Sequence, residues 1–423
     1  MNFHEQVARV AWFTPMPDGW GIPILWTGNA GSTKTAHHAE WARSFASPYI
    51  HASPGAKGEA WFGATPVPGR WDDDDTMVMK FPSNVSIKEM IALGRGLILV
   101  DEVRSAPTQT LTALLSIFQE REMGDDKFPP GIRVWGASNS AREAVNGRML
   151  SAPAANRCCH IAWSDPSSDD MLAHAISSAS REMFMGSVPI DFSDYSVHEE
   201  VENSVRAAFK TQFPLAASAV FSYTARVKNS KGESVLRDQP PLGSAAADGA
   251  WATPRSWYNA ACALFGYRES LRLGVIPTPK DDNGRMMPES DHPVLRALIN
   301  GFVGDGNGGA FLEWLVAQDI PDYSRWLDGE VQVTFEPGIR DDRTFTIMRG
   351  AAAHLLAMQA GSDRARRTRA FWRIAKDVAK NNGFELVSSA VSMLAEDDPA
   401  AIIVERTAFT SEYAARIKAA QKK

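Results

Sequence analysis

The stretch Ile22-Pro-Ile-Leu-Trp-Thr-Gly-Asn-Ala-Gly-Ser-Thr-Lys34-Thr35 reads as a buried strand that runs into a glycine-bearing loop and the start of a helix. Such a loop turns its backbone N–H groups toward phosphates, while a lysine reaches the β- and γ-phosphates and a hydroxyl holds Mg²⁺. Gly28 and Gly31 supply the turn, Lys34 the charge and Thr35 the hydroxyl. The predicted nucleotide-binding residues are therefore Gly28, Asn29, Ala30, Gly31, Ser32, Thr33, Lys34 and Thr35.

One position of this loop departs from the usual pattern. Thr33 stands directly before the lysine, where a glycine is common. A β-branched residue fits there if its φ is negative.

A second apolar run, Gly96–Val100, ends in the two carboxylates Asp101 and Glu102. An unbroken apolar run is typical of a parallel strand that is buried on both faces. Ligands of open α/β sheets bind at the carboxyl ends of the strands, so both carboxylates are expected beside the phosphate loop. Asp101 is then placed to hold Mg²⁺ and Glu102 to polarise an attacking water. The alternative is that Asp101 is a helix N-cap and Glu102 an acidic residue in the first turn of that helix.

Further polar residues follow at three positions. The stretch 132–138 reads as a strand and is followed by Asn139, an amide suited to hydrogen bonding with a γ-phosphate and a water. Arg157 closes a loop before another short apolar run, and Arg255 follows Thr253-Pro254, a typical helix start with proline in the first turn. Each arginine alone would be an ordinary surface residue.

At these residues the chain resembles the AAA+ ATPases, and among them the MoxR-like branch. The segments that carry the resemblance are Val100–Pro107, Leu114–Leu115, Gln119–Glu122, Phe128–Val134 and Asn139. The resemblance is strong from about Gly21 to Trp163, recognisable around Arg255 and weak beyond about Arg340.

The resemblance implies a role for each matching residue. Lys34 and Thr35 would form Walker A, Asp101 and Glu102 Walker B, and Asn139 sensor 1. Arg157 would be an arginine finger that reaches the nucleotide of a neighbouring subunit, and Arg255 the sensor 2 of a helical lid. The implied catalytic set is Glu102, Asn139, Arg157 and Arg255, and the implied metal ligands are Thr35 and Asp101.

The resemblance also implies an architecture and an activity. The fold would be α/β, with an AAA+ αβα core around a parallel sheet in residues 1–165, a helical lid carrying sensor 2 in 166–340 and a helical segment in 341–423. The activity would be hydrolysis of ATP with Mg²⁺ in a homohexameric ring that remodels a partner, in this branch often a von Willebrand factor A domain protein.

Composition limits the alternatives. The chain has 423 residues, of which 44% are hydrophobic, and a net charge of −6, so it carries no overall basic field for nucleic acid. A nucleic-acid motor or loader is therefore less favoured, and a nucleotide-binding structural ring with low turnover is the other alternative. The lack of a long apolar run or a signal-peptide pattern predicts a cytoplasmic protein without a membrane segment.

Four segments allow both a functional and a structural interpretation. Trp61-Phe62 either grip a polypeptide in the ring pore or pack onto the sheet. Cys158-Cys159, with Cys262, suggest either metal or redox chemistry or buried thiols. Asp72–Asp75 bind a basic partner or a metal, or form a solvated loop. Arg364–Arg373 form a binding patch or a helix with one apolar and one solvated basic face. We expect the structural interpretation in each case.

Overall fold

The computed structural model describes residues 2–29, 32–70, 76–139, 150, 155–164, 195–229, 231–241, 248–281, 283–336 and 338–397. The chain divides into two compact units, each built from several segments. The first comprises Met1–Val205, Gln239–Pro279 and Pro293–Asp305, and the second Arg206–Asp238, Lys280–His292 and Gly306–Lys423. The domain ranges 1–165, 166–340 and 341–423 remain predictions.

The first unit contains a parallel sheet of five strands in the order β11-β3-β10-β7-β4. Three small antiparallel pairs, β1-β2, β5-β6 and β8-β9, accompany it. The strands are β1 (Pro15–Met16), β2 (Gly19–Trp20), β3 (Ile24–Thr27), β4 (Tyr49–Ala52), β5 (Val67–Arg70), β6 (Met77–Lys80), β7 (Arg95–Val100), β8 (Glu122–Met123), β9 (Asp126–Lys127), β10 (Gly131–Ser138) and β11 (Cys159–Ala162).

The α-helices alternate with the strands of the sheet and then dominate the rest of the described chain. They are α1 (Phe3–Phe13), α2 (Lys34–Ser44), α3 (Pro54–Trp61), α4 (Val85–Leu93), α5 (Thr108–Gln119), α6 (Tyr195–Arg226), α7 (Pro254–Arg272), α8 (Pro293–Val303), α9 (Asp305–Ala317), α10 (Tyr323–Leu327), α11 (Asp341–Ala357), α12 (Ser362–Asn381) and α13 (Glu385–Asp397). The predicted fold class is confirmed: an α/β fold with a parallel sheet, followed by a mainly helical region.

The strand predictions succeed because these strands are buried on both faces. In β7, the five residues Gly96–Val100 are all buried, and β10 is buried from Ile132 to Ser138. Strands enclosed in this way are mainly apolar, and that pattern identifies them in the sequence. The exception in β10 is Arg133, which is buried and pairs with Glu202. The four predicted strands of the candidate site are β3, β7, β10 and β11.

Helix α7 begins where the sequence indicates. The Thr253 hydroxyl accepts a hydrogen bond from the backbone N–H of Ser256, and the Ser256 hydroxyl accepts one from the N–H of Thr253, which is a complete capping box. Pro254 follows in the first turn, where its missing N–H costs nothing. Helix α8 packs on β11, and Gly301 allows this contact because a Cβ there would lie 2.6 Å from Sγ of Cys159.

The second unit has its own apolar core between its helices. The buried core residues include Trp326, Met348, Phe371 and Trp372. On α12, Phe371 and Trp372 face this core while Arg366 and Arg367 pair with Asp328 at 2.8 and 2.7 Å. The interpretation of Arg364–Arg373 as a helix with an apolar and a basic face is confirmed.

Two other structural interpretations are also confirmed. Phe62 is 1% exposed within the core of the first unit, and Trp61 packs against that core at 4.8 Å from the Phe62 ring. The three cysteines are free and buried, and burial raises the pKa of Cys158 and of Cys262 to about 12. Asp72–Asp75 lie outside the described residues.

No helix in the described ranges combines the length and the apolar character that crossing a membrane demands.

Candidate functional site

The candidate site lies at the carboxyl edge of the five-stranded sheet. Strand β3 lies between β11 and β10. After β3 the chain continues to β4, on the β10 side of β3, whereas after β10 it crosses to β11, on the other side of β3. The connections therefore change direction at β3. A crevice at such a point is where open α/β sheets bind ligands. The chain leaves β3 at Thr27, passes through the predicted phosphate loop and enters α2 at Lys34. Ala30 and Gly31 of this loop lie outside the described residues.

Lys34 is buried at the beginning of α2, with 7% of its surface exposed. Its ammonium group donates to the carbonyl oxygens of Gly28 at 3.0 Å and Asn29 at 2.7 Å, and to the Ser32 hydroxyl at 3.2 Å. It also lies 3.3 Å from Oδ1 of Asn139, which follows β10. The loop lysine and the predicted sensor residue therefore meet.

A second contact joins the loop to the carboxyl end of β7. The Thr35 hydroxyl donates to Oδ2 of Asp101 at 2.6 Å, and Nε2 of His51 lies 3.1 Å from the same oxygen. Burial raises the pKa of Asp101, but hydrogen bonds from His51, Thr35 and the backbone N–H of Glu102 outweigh it and lower the pKa to about 2. Asp101 is therefore ionised at neutral pH.

Glu102 is exposed beside this pair and has an unusual backbone. Its φ of 55° and ψ of 40° lie in the left-handed region, which is uncommon for a residue with a side chain. Its carboxylate accepts a hydrogen bond of 2.9 Å from the hydroxyl of Ser53, which follows β4. Its side chain makes no capping bond to the short 3₁₀ turn that follows, so capping does not account for this residue.

The φ of Thr33 is positive, so the condition under which a β-branched residue fits this position is not met. Thr33 has φ 64° and ψ 15° as the residue that precedes α2. Its hydroxyl donates to the carbonyl of its neighbour Ser32 at 2.6 Å and makes no helix-capping bond. The chain must turn sharply between loop and helix, and the turn imposes the conformation that a glycine would adopt more easily.

The donors present fit a magnesium ion. Mg²⁺ binds hard oxygen ligands, keeps several of its waters and takes one or two protein groups beside substrate phosphates. The ionised carboxylate of Asp101 and the hydroxyl of Thr35 are such groups, and they are already adjacent. Among the described residues, no group of three or more His, Cys, Asp or Glu side chains could hold a metal by itself.

Arg157 and Arg255 lie together, at the amino edge of the sheet. Cys159 lies opposite Ile24 and Ala162 opposite Thr27, so the first residue of β11 lies roughly 10 Å from the level of Thr27 along the strands, and Arg157 precedes that residue in the chain. Both arginines line one cavity of about 140 Å³, with Arg121 and Gln119. Nη1 of Arg255 donates to Oε1 of Gln119 at 3.1 Å.

The guanidinium groups in this cavity differ in their hydrogen bonding. Nε of Arg157 is buried and has no hydrogen-bond partner among the described residues. Arg121 has φ 56°, donates to the carbonyl of Ile132 and is only 8% exposed. Burial, with the nearby Arg133 charge, lowers the pKa of Arg121 to about 10, which still leaves it charged at neutral pH.

The structure adds residues that the sequence did not identify. His51 and Ser53 contact Asp101 and Glu102, and Trp163 donates to the carbonyl of Ser32 at 2.9 Å. His51 is the last residue but one of β4 and Ser53 follows the strand, so polar residues at the end of β4 are a signal that could have found both. Trp163 carries no signal in the sequence, because an aromatic residue after a strand is most often part of a core.

Comparison with solved structures finds chains of similar structure. A crystal structure of a Cytophaga hutchinsonii protein described as a "putative ATPase" is 14% identical to this chain, with a TM-score of 0.41. The match covers 79% of this chain and 89% of that one. No protein-family model matches the chain. No curated protein matches it either.

Proposed function

We propose that this protein is a magnesium-dependent ATPase. The observation that carries the proposal is the meeting of the loop residues with the ends of two other strands: Lys34 with Asn139, and Thr35 with Asp101. Phosphoryl transfer from a nucleoside triphosphate needs a particular set of groups at one edge of a sheet: a lysine, an amide, a hydroxyl and an ionised carboxylate.

Lys34 and the loop backbone bind the phosphates in this proposal. The ammonium group has three protons and four acceptors within 3.3 Å, so a phosphate oxygen can replace an acceptor without leaving a proton unbonded. Thr35 and Asp101 hold Mg²⁺, which neutralises charge on the phosphates when it is bound. Asn139 contacts the γ-phosphate.

Glu102 orients the attacking water in this proposal. Its carboxylate is exposed at the edge where the phosphates would lie, and the Ser53 hydroxyl holds one of its oxygens. A strained backbone at a polar residue of a site is a typical sign of function.

Arg157 and Arg255 act between subunits in this proposal. Both line a cavity with Pro23, which precedes β3, whereas the phosphate loop follows β3, so they lie toward the opposite end of that strand from Lys34. A cavity lined by guanidinium groups suits the phosphates of a nucleotide held by a neighbour. Contacts of this head-to-tail kind close into a ring, and the AAA+ resemblance makes it a hexamer.

The resemblance to MoxR-like proteins supports a remodelling role. Loss of the γ-phosphate would release Asn139 and change the conformation of the ring, which can do work on a bound protein. The partner would be a client protein, a von Willebrand factor A domain protein being the kind that this branch uses. A nucleic-acid motor is the second candidate, but the net charge of −6 disfavours it.

Phosphate release by the purified protein tests the proposal. We expect hydrolysis that requires Mg²⁺, that rises more steeply than in proportion to protein concentration as rings assemble, and that DNA and RNA leave unchanged. Stimulation by nucleic acid would favour the motor instead. Tight ATP binding with no release at any protein concentration would favour the structural ring.

A further inference from the structure

We propose that Trp163 is a positioning residue that holds the phosphate loop in its binding conformation from outside the loop. The proposal rests on the proposed nucleotide site but adds a residue that touches neither phosphate nor metal. Trp163 directly follows β11, the neighbour of β3, and it is 6% exposed. It contacts the loop at two points, Ser32 and Gly28.

The first contact is a hydrogen bond. The indole N–H of Trp163 donates to the carbonyl oxygen of Ser32 at 2.9 Å. In a trans peptide the carbonyl of one residue and the N–H of the next point in opposite directions. Fixing the Ser32 carbonyl toward Trp163 therefore directs the N–H of Thr33 to the other side. The orientation of one loop amide is set in this way by a residue far along the chain.

The second contact is a close approach at the beginning of the loop. A Cβ added to Gly28 would lie 2.6 Å from the backbone oxygen and 2.8 Å from Cβ of Trp163. Such a contact requires atoms to move, so only glycine fits against Trp163. Gly28 thus serves this packing as well as the turn. Its φ lies outside the range that L side chains avoid, so conformational freedom alone does not explain it.

The surroundings of Trp163 keep its indole in place. Its ring stacks on His4 of α1 at 4.4 Å, with an interplanar angle of 20°. The rings of Trp26, His37 and Trp41 lie 5.5, 5.3 and 5.7 Å away. An aromatic ring enclosed on several sides has little freedom to reorient. The hydrogen bond to Ser32 therefore comes from a rigid donor.

Trp26 offers a matched control within the same aromatic cluster. It is completely buried, and its indole N–H has no hydrogen-bond partner among the described residues. Trp26→Phe and Trp163→Phe each shrink one buried indole ring, but only Trp163→Phe removes a bond to the loop. The Ser32 carbonyl keeps the hydroxyl of Thr33 as a donor, so Trp163→Phe does not leave it unbonded.

The test compares both variants with the wild type in two measurements. Hydrogen exchange of peptides covering Ser32–Thr35, without nucleotide, should be faster in Trp163→Phe than in Trp26→Phe. Calorimetry with ATP and Mg²⁺ should give a dissociation constant about fivefold higher in Trp163→Phe, the factor that one ordinary hydrogen bond represents. KM should rise by the same factor while kcat changes less than twofold.

The outcomes separate this proposal from the function on which it rests. Equal exchange and equal ATP affinity in the two variants would overturn the role of Trp163 and leave the ATPase intact. If the wild type binds no ATP, the proposed function fails, and the exchange measurement still decides whether Trp163 holds the loop. Faster exchange only in Trp163→Phe supports the proposal.

Discussion

The hydroxyl of Thr35 donates a 2.6 Å hydrogen bond to Oδ2 of Asp101, which is 66 residues away in the chain. This bond joins the first turn of α2 to the carboxyl end of β7. It brings together a hydroxyl and an ionised carboxylate that would share a metal ion, and it supports Asp101 in its charged form.

Replacing Thr33 by glycine should stabilise the protein. Thr33 has φ 64°. In this left-handed region a residue with a Cβ has a conformational energy roughly 1–2 kcal/mol higher than in its preferred regions, and glycine does not. After the backbone entropy cost of glycine, we expect thermal unfolding to show a gain of about 1 kcal/mol. Thr33→Ala removes the same hydroxyl but keeps the strain, so it is the control. A Thr33→Gly protein no more stable than Thr33→Ala would contradict the strain argument.

Acid should destabilise the protein through His38. Burial lowers the pKa of His38 to about 4, against a backbone hydrogen bond to Lys34 that raises it. In the unfolded chain the pKa is about 6.5. The contribution of neutral His38 to the free energy of unfolding is therefore complete above pH 6.5 and is lost as the pH falls toward 4. Between pH 7 and pH 5 the free energy of unfolding should fall by about 2 kcal/mol.

The His38→Asn protein tests this titration. Denaturant unfolding at several pH values should show a smaller loss of stability between pH 7 and pH 5 than in the wild type, because the titrating ring is gone. A wild-type unfolding free energy that does not change between these pH values would argue against a neutral, buried His38.

Phe62 should matter for stability more than Trp61. Phe62 is 1% exposed in the core of the first unit, so Phe62→Ala should cost about 3–4 kcal/mol and lower the melting temperature. Trp61 is partly buried, so Trp61→Ala should cost less. Met79→Ala is the control, since Met79 is 57% exposed. A stable Phe62→Ala protein that no longer responds to a client would favour the pore interpretation instead.

The sequence predicts the buried strands and the polar residues that follow them, because both have one-dimensional signatures. Strand β7 is apolar along its length and Asp101 follows it directly, so its place at the sheet edge is determined by chain order. Arg157 and Arg255 are different. Their common cavity depends on how α7 packs, which no local pattern specifies. Thr33 and Trp163 also escape prediction, because φ and a single indole hydrogen bond depend on tertiary contacts.

Mixing two inactive variants should restore activity if Arg157 acts in trans. Arg157→Ala protein keeps its own phosphate loop and should bind ATP, whereas Lys34→Ala protein should not. In a mixed ring, one subunit can supply Arg157 and its neighbour an intact Lys34. We expect partial recovery of phosphate release, with Arg255→Ala behaving like Arg157→Ala. Demonstrated co-assembly without recovery would mean that Arg157 acts within its own subunit or only packs.

The most direct test of the account is a comparison of ATP binding and ATP hydrolysis in Glu102→Gln protein. The substitution keeps the size of the side chain but removes the charge that polarises the attacking water, while Lys34 and Asp101 remain. We predict ATP affinity within about threefold of the wild type and a fall in kcat of at least roughly 10²-fold. Hydrolysis at the wild-type rate, or loss of ATP binding as complete as in Lys34→Ala, would contradict the assignment of this site.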